Sequence, residues 1–281
     1  FKEFADENKL DDETISNLKL FDNNCKNAKE LIKDTLNVYF YNLGTNVNST
    51  KSDFNPFVAE DGSILVFSSN KKYLRDFQVH VSNCYYSVPT INDFGEWTRA
   101  RSLSRSVNTE ETEKVVGMSH DAENVVIYLD NWDAYDDIAE SSKGRRSYRS
   151  PDLFPEQINS KFSEQGACYS YTGDTLYFSS DREGGFGGFD LYMVKKIGRR
   201  EWGQPVNMGA TVNTQYDENF PYISKDGKTL RFASKGFKSM GGYDIFVAER
   251  DDKNQKWNEP ENFGFPINDT YDNTNISFTK N

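Results

Sequence analysis

The chain has 281 residues, enough for one large β domain and a small appendage. Aromatics reach 15%, which argues against disorder, and no apolar run approaches the roughly 18 residues that a membrane span needs. A net charge of −11 sets the chain against nucleic acid and anionic membrane surfaces.

The start at Phe1, without Met or a visible secretory signal, reads as a processed or trimmed piece. Residues 1–37 form a helical segment. Leu18, Phe21, Cys25, Ala28, Ile32 and Leu36 recur at steps of three and four, which predicts one amphipathic helix over about 11–37. Asp11 and Asp12 suit its positive N-terminal end, and Thr14 is a candidate cap. A single helix cannot bury its own stripe. It therefore packs on the next domain or ends a tetratricopeptide-like helical array.

From Val38 to Asn281 the pattern changes to short apolar or alternating runs split by Gly, Asn, Asp and Pro. These runs repeat. Phe67, Tyr128, Phe178 and Phe232 sit in equivalent strands at spacings of 61, 50 and 54. Trp97, Tyr148, Trp202 and Trp257 keep the beat, at 51, 54 and 55. So do Asn48, Asn108, Asn159, Asn213 and Asn268, each after Val or Ile. Asp137, Asp190 and Asp244 open another strand in three repeats, and Phe77-Gln78-Val79 is assigned that place in the first. A shared period of about 55 residues with four strands per repeat predicts an all-β fold, a β-propeller of four-stranded blades.

In the fourth repeat the strands are expected at 219–223, 229–234, 244–249 and 257–263. Residues 38–44 match the outer strand 258–264, and 271–281 match the inner strand 216–226 at an offset of 55. Five blades are therefore expected, the fifth incomplete, with its last strand near the N-terminus and its first near the C-terminus. Six blades stay open if more chain follows.

The third and fourth repeats read SYTGDTLYFSSDREGGFGGFDLYMV (170–194) and SKDGKTLRFASKGFKSMGGYDIFVAE (224–249). They resemble the PD40 repeats, WD40-like and TolB-type, of Bacteroidota periplasmic proteins that carry an OmpA-like domain. Repeat two departs from the pattern, lacking the Gly-Gly turn and holding Tyr148 for Trp. The resemblance implies a non-catalytic scaffold in the periplasm, associated with the outer membrane and with type IX secretion or gliding machinery. It implies protein partners in the cell envelope, with peptidoglycan reached only through a domain outside this chain. No nucleic acid, membrane span or cofactor is expected.

Chemistry is weighed against structure at each candidate. The expected innermost strands carry no Asp or Glu, and the flanking Asp53, Glu164, Asp217 and Glu218 read as solvated loop acids. A carbohydrate-binding or glycoside-cleaving five-bladed propeller is the alternative, and it would need paired carboxylates at the channel. The histidines are His80, read as a packing residue at the position of Tyr192 and Phe246, and His120, read as a turn residue. Neither neighbours a nucleophile elbow, and with three scattered Cys they make no zinc set. Gly184-Gly185-Phe186-Gly187-Gly188 reads as a hairpin rather than a phosphate loop, because Gly241-Gly242 recurs at the same place. The repeated Asp and Asn residues and the tryptophans are assigned to holding the blades. No catalytic, cofactor or metal residue is assigned.

Overall fold

The computed structural model describes residues 11–90, 95–130, 136–145 and 147–280. Its sixteen strands form four antiparallel four-stranded sheets, each built from consecutive strands. The first blade holds β1 (Asp53–Val58), β2 (Leu65–Leu74), β3 (Val79–Ser87) and β4 (Arg101–Ser102). The second holds β5 (Glu113–Met118), β6 (Asn124–Leu129), β7 (Asp137–Ser142) and β8 (Asp152–Leu153). The third holds β9 (Glu164–Tyr169), β10 (Thr175–Ser180), β11 (Asp190–Lys195) and β12 (Val206–Asn207). The fourth holds β13 (Glu218–Ile223), β14 (Thr229–Ser234), β15 (Asp244–Glu249) and β16 (Glu261–Asn262). The inner strands β1, β5, β9 and β13 pack against one another in that order. This is propeller organisation with four blades. Residues 38–44 and 271–280 carry no strand.

The fourth-repeat strands fall within one residue of expectation except the last. That one shortens to Glu261–Asn262, preceded by a bridge between Arg250 and Trp257. Equivalent bridges join Pro89 to Trp97, Lys143 to Tyr148 and Lys196 to Trp202, so each aromatic pins the turn into the outer strand. Trp202 also meets Phe154 of the preceding blade edge-on, ring centroids 6.0 Å apart. Tyr148 is buried, and its hydroxyl donates to the Ala122 carbonyl at 2.6 Å. Lys143, Arg145 and Arg149 cluster around that turn, and Arg146 lies outside the described residues.

The core lies between blades, as the alternation of second-strand residues requires. Phe178, Phe232, Ile127 and Leu65 are all buried. Inner strands approach so closely that a Cβ on Gly117 would stand 2.1 Å from the Ala167 carbonyl oxygen. The Gly-Gly turns have the same cause. A Cβ on Gly187 would sit 1.9 Å from the Tyr216 oxygen, and one on Gly241 2.5 Å from the Tyr271 oxygen. Each hairpin is pressed onto the segment leading into the next first strand.

Repeat one differs from expectation. β2 and β3 extend outward into a longer hairpin, and Phe77 and Gln78 lie in its turn. Asn83 pairs with Ser69 where Asp190 pairs with Ser180, so Asn83-Cys84 takes the place assigned to Phe77-Gln78-Val79. Tyr85, opposite Phe67, occupies the packing position given to His80. His80 itself is exposed, its Nδ1 3.0 Å from the Asn70 carbonyl.

The helix α1 spans Asp12–Leu31, and its cap is Asp11, whose carboxylate accepts from the Thr14 N–H at 2.7 Å. It docks through amides rather than through its apolar stripe. Asn24 Nδ2 donates to the Gly241 carbonyl at 2.5 Å and Asn27 Nδ2 to the Ser239 carbonyl at 2.8 Å. Phe21, Cys25 and Ile32 face outward. No described helix is long and apolar enough to cross a membrane.

Candidate functional site

The two ends of the inner strands are built differently. At the end where each strand begins stands an acid: Asp53, Glu113, Glu164 or Glu218. Glu164 and Glu218 are fully buried, which overturns their reading as solvated loop acids, and Glu113 is nearly so. Each latches the loop that arrives from the preceding outer strand. Glu218 accepts from the Thr214 N–H and hydroxyl, both at 2.7 Å, and from Ser234 Oγ at 2.6 Å. Glu164 accepts from Ser160 N at 3.1 Å, Ser160 Oγ at 2.9 Å and Ser180 Oγ at 2.7 Å. Arg182 adds an ion pair to Glu164 at 3.0 Å. Glu113 is held by Thr109 and Asn83. Asp53, one methylene shorter, accepts from Ser49 N and Oγ, and the facing Ser69 hydroxyl is left buried without a partner.

Burial raises the pKa of Glu113 and Glu164, and takes Glu218 up to about 7. A buried carboxyl that already accepts several hydrogen bonds is tied into structure, with few lone pairs left for substrate.

The repeated Asp and Asn residues fasten the outer part of each blade. Asp190 accepts from Phe186 N at 2.7 Å, Gly187 N at 3.0 Å and Asn207 Nδ2 at 2.7 Å. Asp244 accepts from Met240 N and Asn262 Nδ2, at 2.9 and 2.7 Å, and burial takes its pKa up to about 6. Asp137 opens β7, and burial raises it too. Asn108, Asn159, Asn213 and Asn268 each grip one third-strand residue through both its N–H and its C=O. Asn48 occupies the same loop position without such a residue. Trp97 and Trp257 pack, partly buried, against the clusters around Phe67 and Phe246.

At the opposite end, the turn between first and second strands presents a column of the repeat that varies around the ring, with four residue types at five places. Its members are Glu60, His120, Tyr171 and Lys225, with Lys280 at the matching place in the C-terminal segment. They run in order around the axis. Lys280 N donates to the Glu60 carbonyl, and Glu60 N to the His120 carbonyl, both at 2.9 Å. The His120 ring lies 5.5 Å from that of Tyr171, whose face carries the Lys225 ammonium at 4.1 Å. The Glu60 carboxylate stands between two cations, 3.6 Å from Lys280 Nζ and 3.8 Å from Lys225 Nζ.

Glu60, His120, Tyr171 and Lys280 border a cleft of about 450 Å³, also lined by Asp121, Glu140 and Lys196. Burial lowers the His120 pKa, and its Nε2 is buried without a hydrogen-bond partner. His120 therefore has a ring nitrogen that no nucleophile or carboxylate among the described residues engages.

The axis itself is filled. Phe57, Met118, Cys168, Tyr222 and Ser277, one from each inner segment, leave a void of only about 10 Å³. The expected open central channel is thus two separate mouths. The second, about 380 Å³, is lined by Phe54, Asn55, Lys114, Tyr128, Gln165 and Phe220 and has no acid in its wall. Among the described residues no group of three or more His, Cys, Asp or Glu is placed to hold a metal ion. All three cysteines are free.

No known protein family matches the sequence, and no curated protein does. Solved structures with a similar course of the chain include a TolB from Agrobacterium tumefaciens, 16% identical at a TM-score of 0.47, over 73% of this chain and 62% of that one. Another is TolB from Acinetobacter baumannii, 12% identical at 0.42, over 73% and 44%. An alpha-L-arabinofuranosidase from Lactobacillus brevis is 11% identical at 0.45, over 77% of each chain. This chain thus spans under two thirds of the length of the two TolB proteins. The fold itself rests on the strand pairing within the four sheets.

Proposed function

We propose that this chain is a non-catalytic interaction propeller whose contact surface is the mouth ringed by Glu60, His120, Tyr171, Lys225 and Lys280. One observation carries the reading. Residues that recur at each blade are spent on internal hydrogen bonds, whereas this column holds four residue types at its five places, and four of its members face an open cleft. A ring mixing anion, cations, imidazole and phenol suits the polar, aromatic-studded surface of a folded protein partner. The buried acids favour contact over turnover, because they are engaged by loops and lie at the other end of the strands.

The sequence resemblance extends the reading to a five-bladed propeller in the periplasm, near the outer membrane. There it would serve type IX secretion or gliding machinery, with peptidoglycan bound by a separate domain. Residues 271–280 support a fifth blade, since they lie where its inner strand belongs. Asn275 Nδ2 donates to Asn55 Oδ1 at 2.8 Å, and Phe278 meets Tyr222 with ring centroids 5.7 Å apart.

The test is a pull-down from envelope extracts with wild type and the double variant His120→Ala, Lys225→Glu. Wild type is expected to retain envelope proteins that the variant loses. An identical set with both proteins, or hydrolysis of any member of a glycan panel, would overturn the proposal.

A further inference from the structure

One sector of the ring is walled like the others, but among the described residues it holds no second or third strand. In blades one to four, the Asn of the exit loop clamps the third strand of its own blade. Asn213 Oδ1 accepts from Leu191 N at 2.8 Å while its Nδ2 donates to Leu191 O at 3.0 Å, and Asn268 holds Ile245 at 2.8 Å both ways. Asn48 sits in a loop of the same construction. Its N–H donates to Gly44 O at 2.8 Å, as those of Asn213 and Asn268 donate to Gly209 and Gly264. Asn42 Oδ1 accepts from Gly44 N and Asn48 Nδ2, both at 2.8 Å, copying Asn207 and Asn262. Among the described residues, no third strand lies beneath Asn48.

The other wall of the sector is equally complete. Asp272 Oδ1 accepts from Tyr243 N at 2.8 Å, as Asp217 accepts from Phe189 N at 3.1 Å. Asn273 N donates to Tyr243 O at 2.6 Å, as Glu218 N donates to Phe189 O. Asn273 Oδ1 accepts from Asp269 N at 2.8 Å, in the manner of the acid latch. Residues 273–278 thus follow a first-strand course, yet among the described residues no second strand pairs with them. Beside the gap, Tyr39, Phe40 and Tyr41 are 79%, 71% and 84% exposed.

We infer that this sector is a docking seat for a two-stranded β-hairpin of the repeat's own type. The first strand of the hairpin would pair with 273–278. The second would lie against Tyr41-Asn42, with its second residue gripped through N–H and C=O by Asn48, as Leu191 and Ile245 are gripped. The occupant follows from the four filled sectors, where equivalent walls hold a hairpin with an apolar second strand, in the third and fourth with a Gly-Gly-x-Asp turn. Recognition would be strand addition, main-chain hydrogen bonds giving affinity and alternate side chains giving selectivity. The inference is independent of the mouth ring, so either can fail alone.

The probe is a labelled synthetic peptide with the sequence of residues 224–249, titrated into the full chain by fluorescence anisotropy. A second arm fuses that hairpin behind Asn281 and measures Tm. Saturable binding is expected, with slowed amide exchange at 39–43 and 273–278 and a loss of about tenfold in affinity for Asn48→Ala. The fused chain should melt about 5 °C higher, and Asn48→Ala should remove most of that gain. Absence of both binding and a Tm rise would overturn the seat. So would effects that Asn48→Ala leaves unchanged, or equal binding of a scrambled peptide.

Discussion

The acid latch and the mouth ring occupy opposite ends of the same inner strands, yet they obey opposite rules. At the latch, chemistry is constant from blade to blade and every acid is covered by its loop. At the mouth, backbone contacts are constant and the side chains differ. Propeller repeats constrain whatever joins one blade to the next, because each blade contacts only its neighbours. Positions relieved of that duty can diversify, and the ring from Glu60 to Lys280 is such a column. Polar residues that never change report on assembly; those that change at a fixed place report on contact.

Substitution should separate the two. The largest effect is expected where blades touch through backbone. Gly187→Ala would drive a Cβ into the Tyr216 carbonyl and cost about 3 kcal/mol or more, measured by urea unfolding. Next comes the latch. Glu218→Ala would strand the Thr214 N–H and two hydroxyls in a buried site, and about 2–3 kcal/mol is expected. The mouth substitutions Glu60→Ala and Lys225→Ala should each leave stability close to that of wild type, since the exposed Lys225 makes their ion pair solvent-screened. Equal costs at latch and mouth would erase the distinction.

The latch also has a pH signature. Glu218 titrates near 7 in the folded chain against an ordinary value of 4.5, because burial disfavours its ionised form. The folded state therefore holds the proton more tightly. Its contribution is fully present below about 4.5 and is lost as pH rises through 7. His120 acts in the opposite sense, and Glu113, Glu164, Asp137 and Asp244 in the same sense as Glu218, so the wild-type profile mixes them all. The informative quantity is the difference from Glu218→Gln, which should remove a decline of about 1–3 kcal/mol between these limits while leaving the His120 contribution. The smallest effect sharpens the same comparison from the other side. Asp53→Glu gives the first blade the length of acid found in the others and lets it reach the unpartnered Ser69 hydroxyl. A gain of about 0.5–1 kcal/mol is expected, read as a rise in Tm.

Much of the fold was legible in the sequence, because the blade period appears in several residue types at once. Phe178 and Phe232 lie buried in the second strands, and the aromatics from Trp97 to Trp257 bridge the final turns. The latch was legible too but was overlooked. Asn-Ser/Thr followed four residues later by Asp or Glu occurs at Ser49–Asp53, Thr109–Glu113, Ser160–Glu164 and Thr214–Glu218. An acid between loop and strand looks solvated until the loop is seen folded over it. The helix shows a different limit. Its period was readable but not its docked face, because Asn24 and Asn27 find carbonyls of a distant hairpin that no local pattern reveals. The long hairpin of repeat one hid the place of Asn83-Cys84 in the same way, since an insertion breaks the count between markers. The mouth ring could have been found only by aligning the repeats and asking which column disagrees.

The most direct test of the account is site-specific photo-crosslinking in cells from Tyr171, on the mouth ring, against Lys114, on the opposite mouth. Discrete adducts with envelope proteins are expected from position 171 and none from 114. Adducts from 114 alone, or from both positions to the same extent, would contradict the assignment of the contact surface.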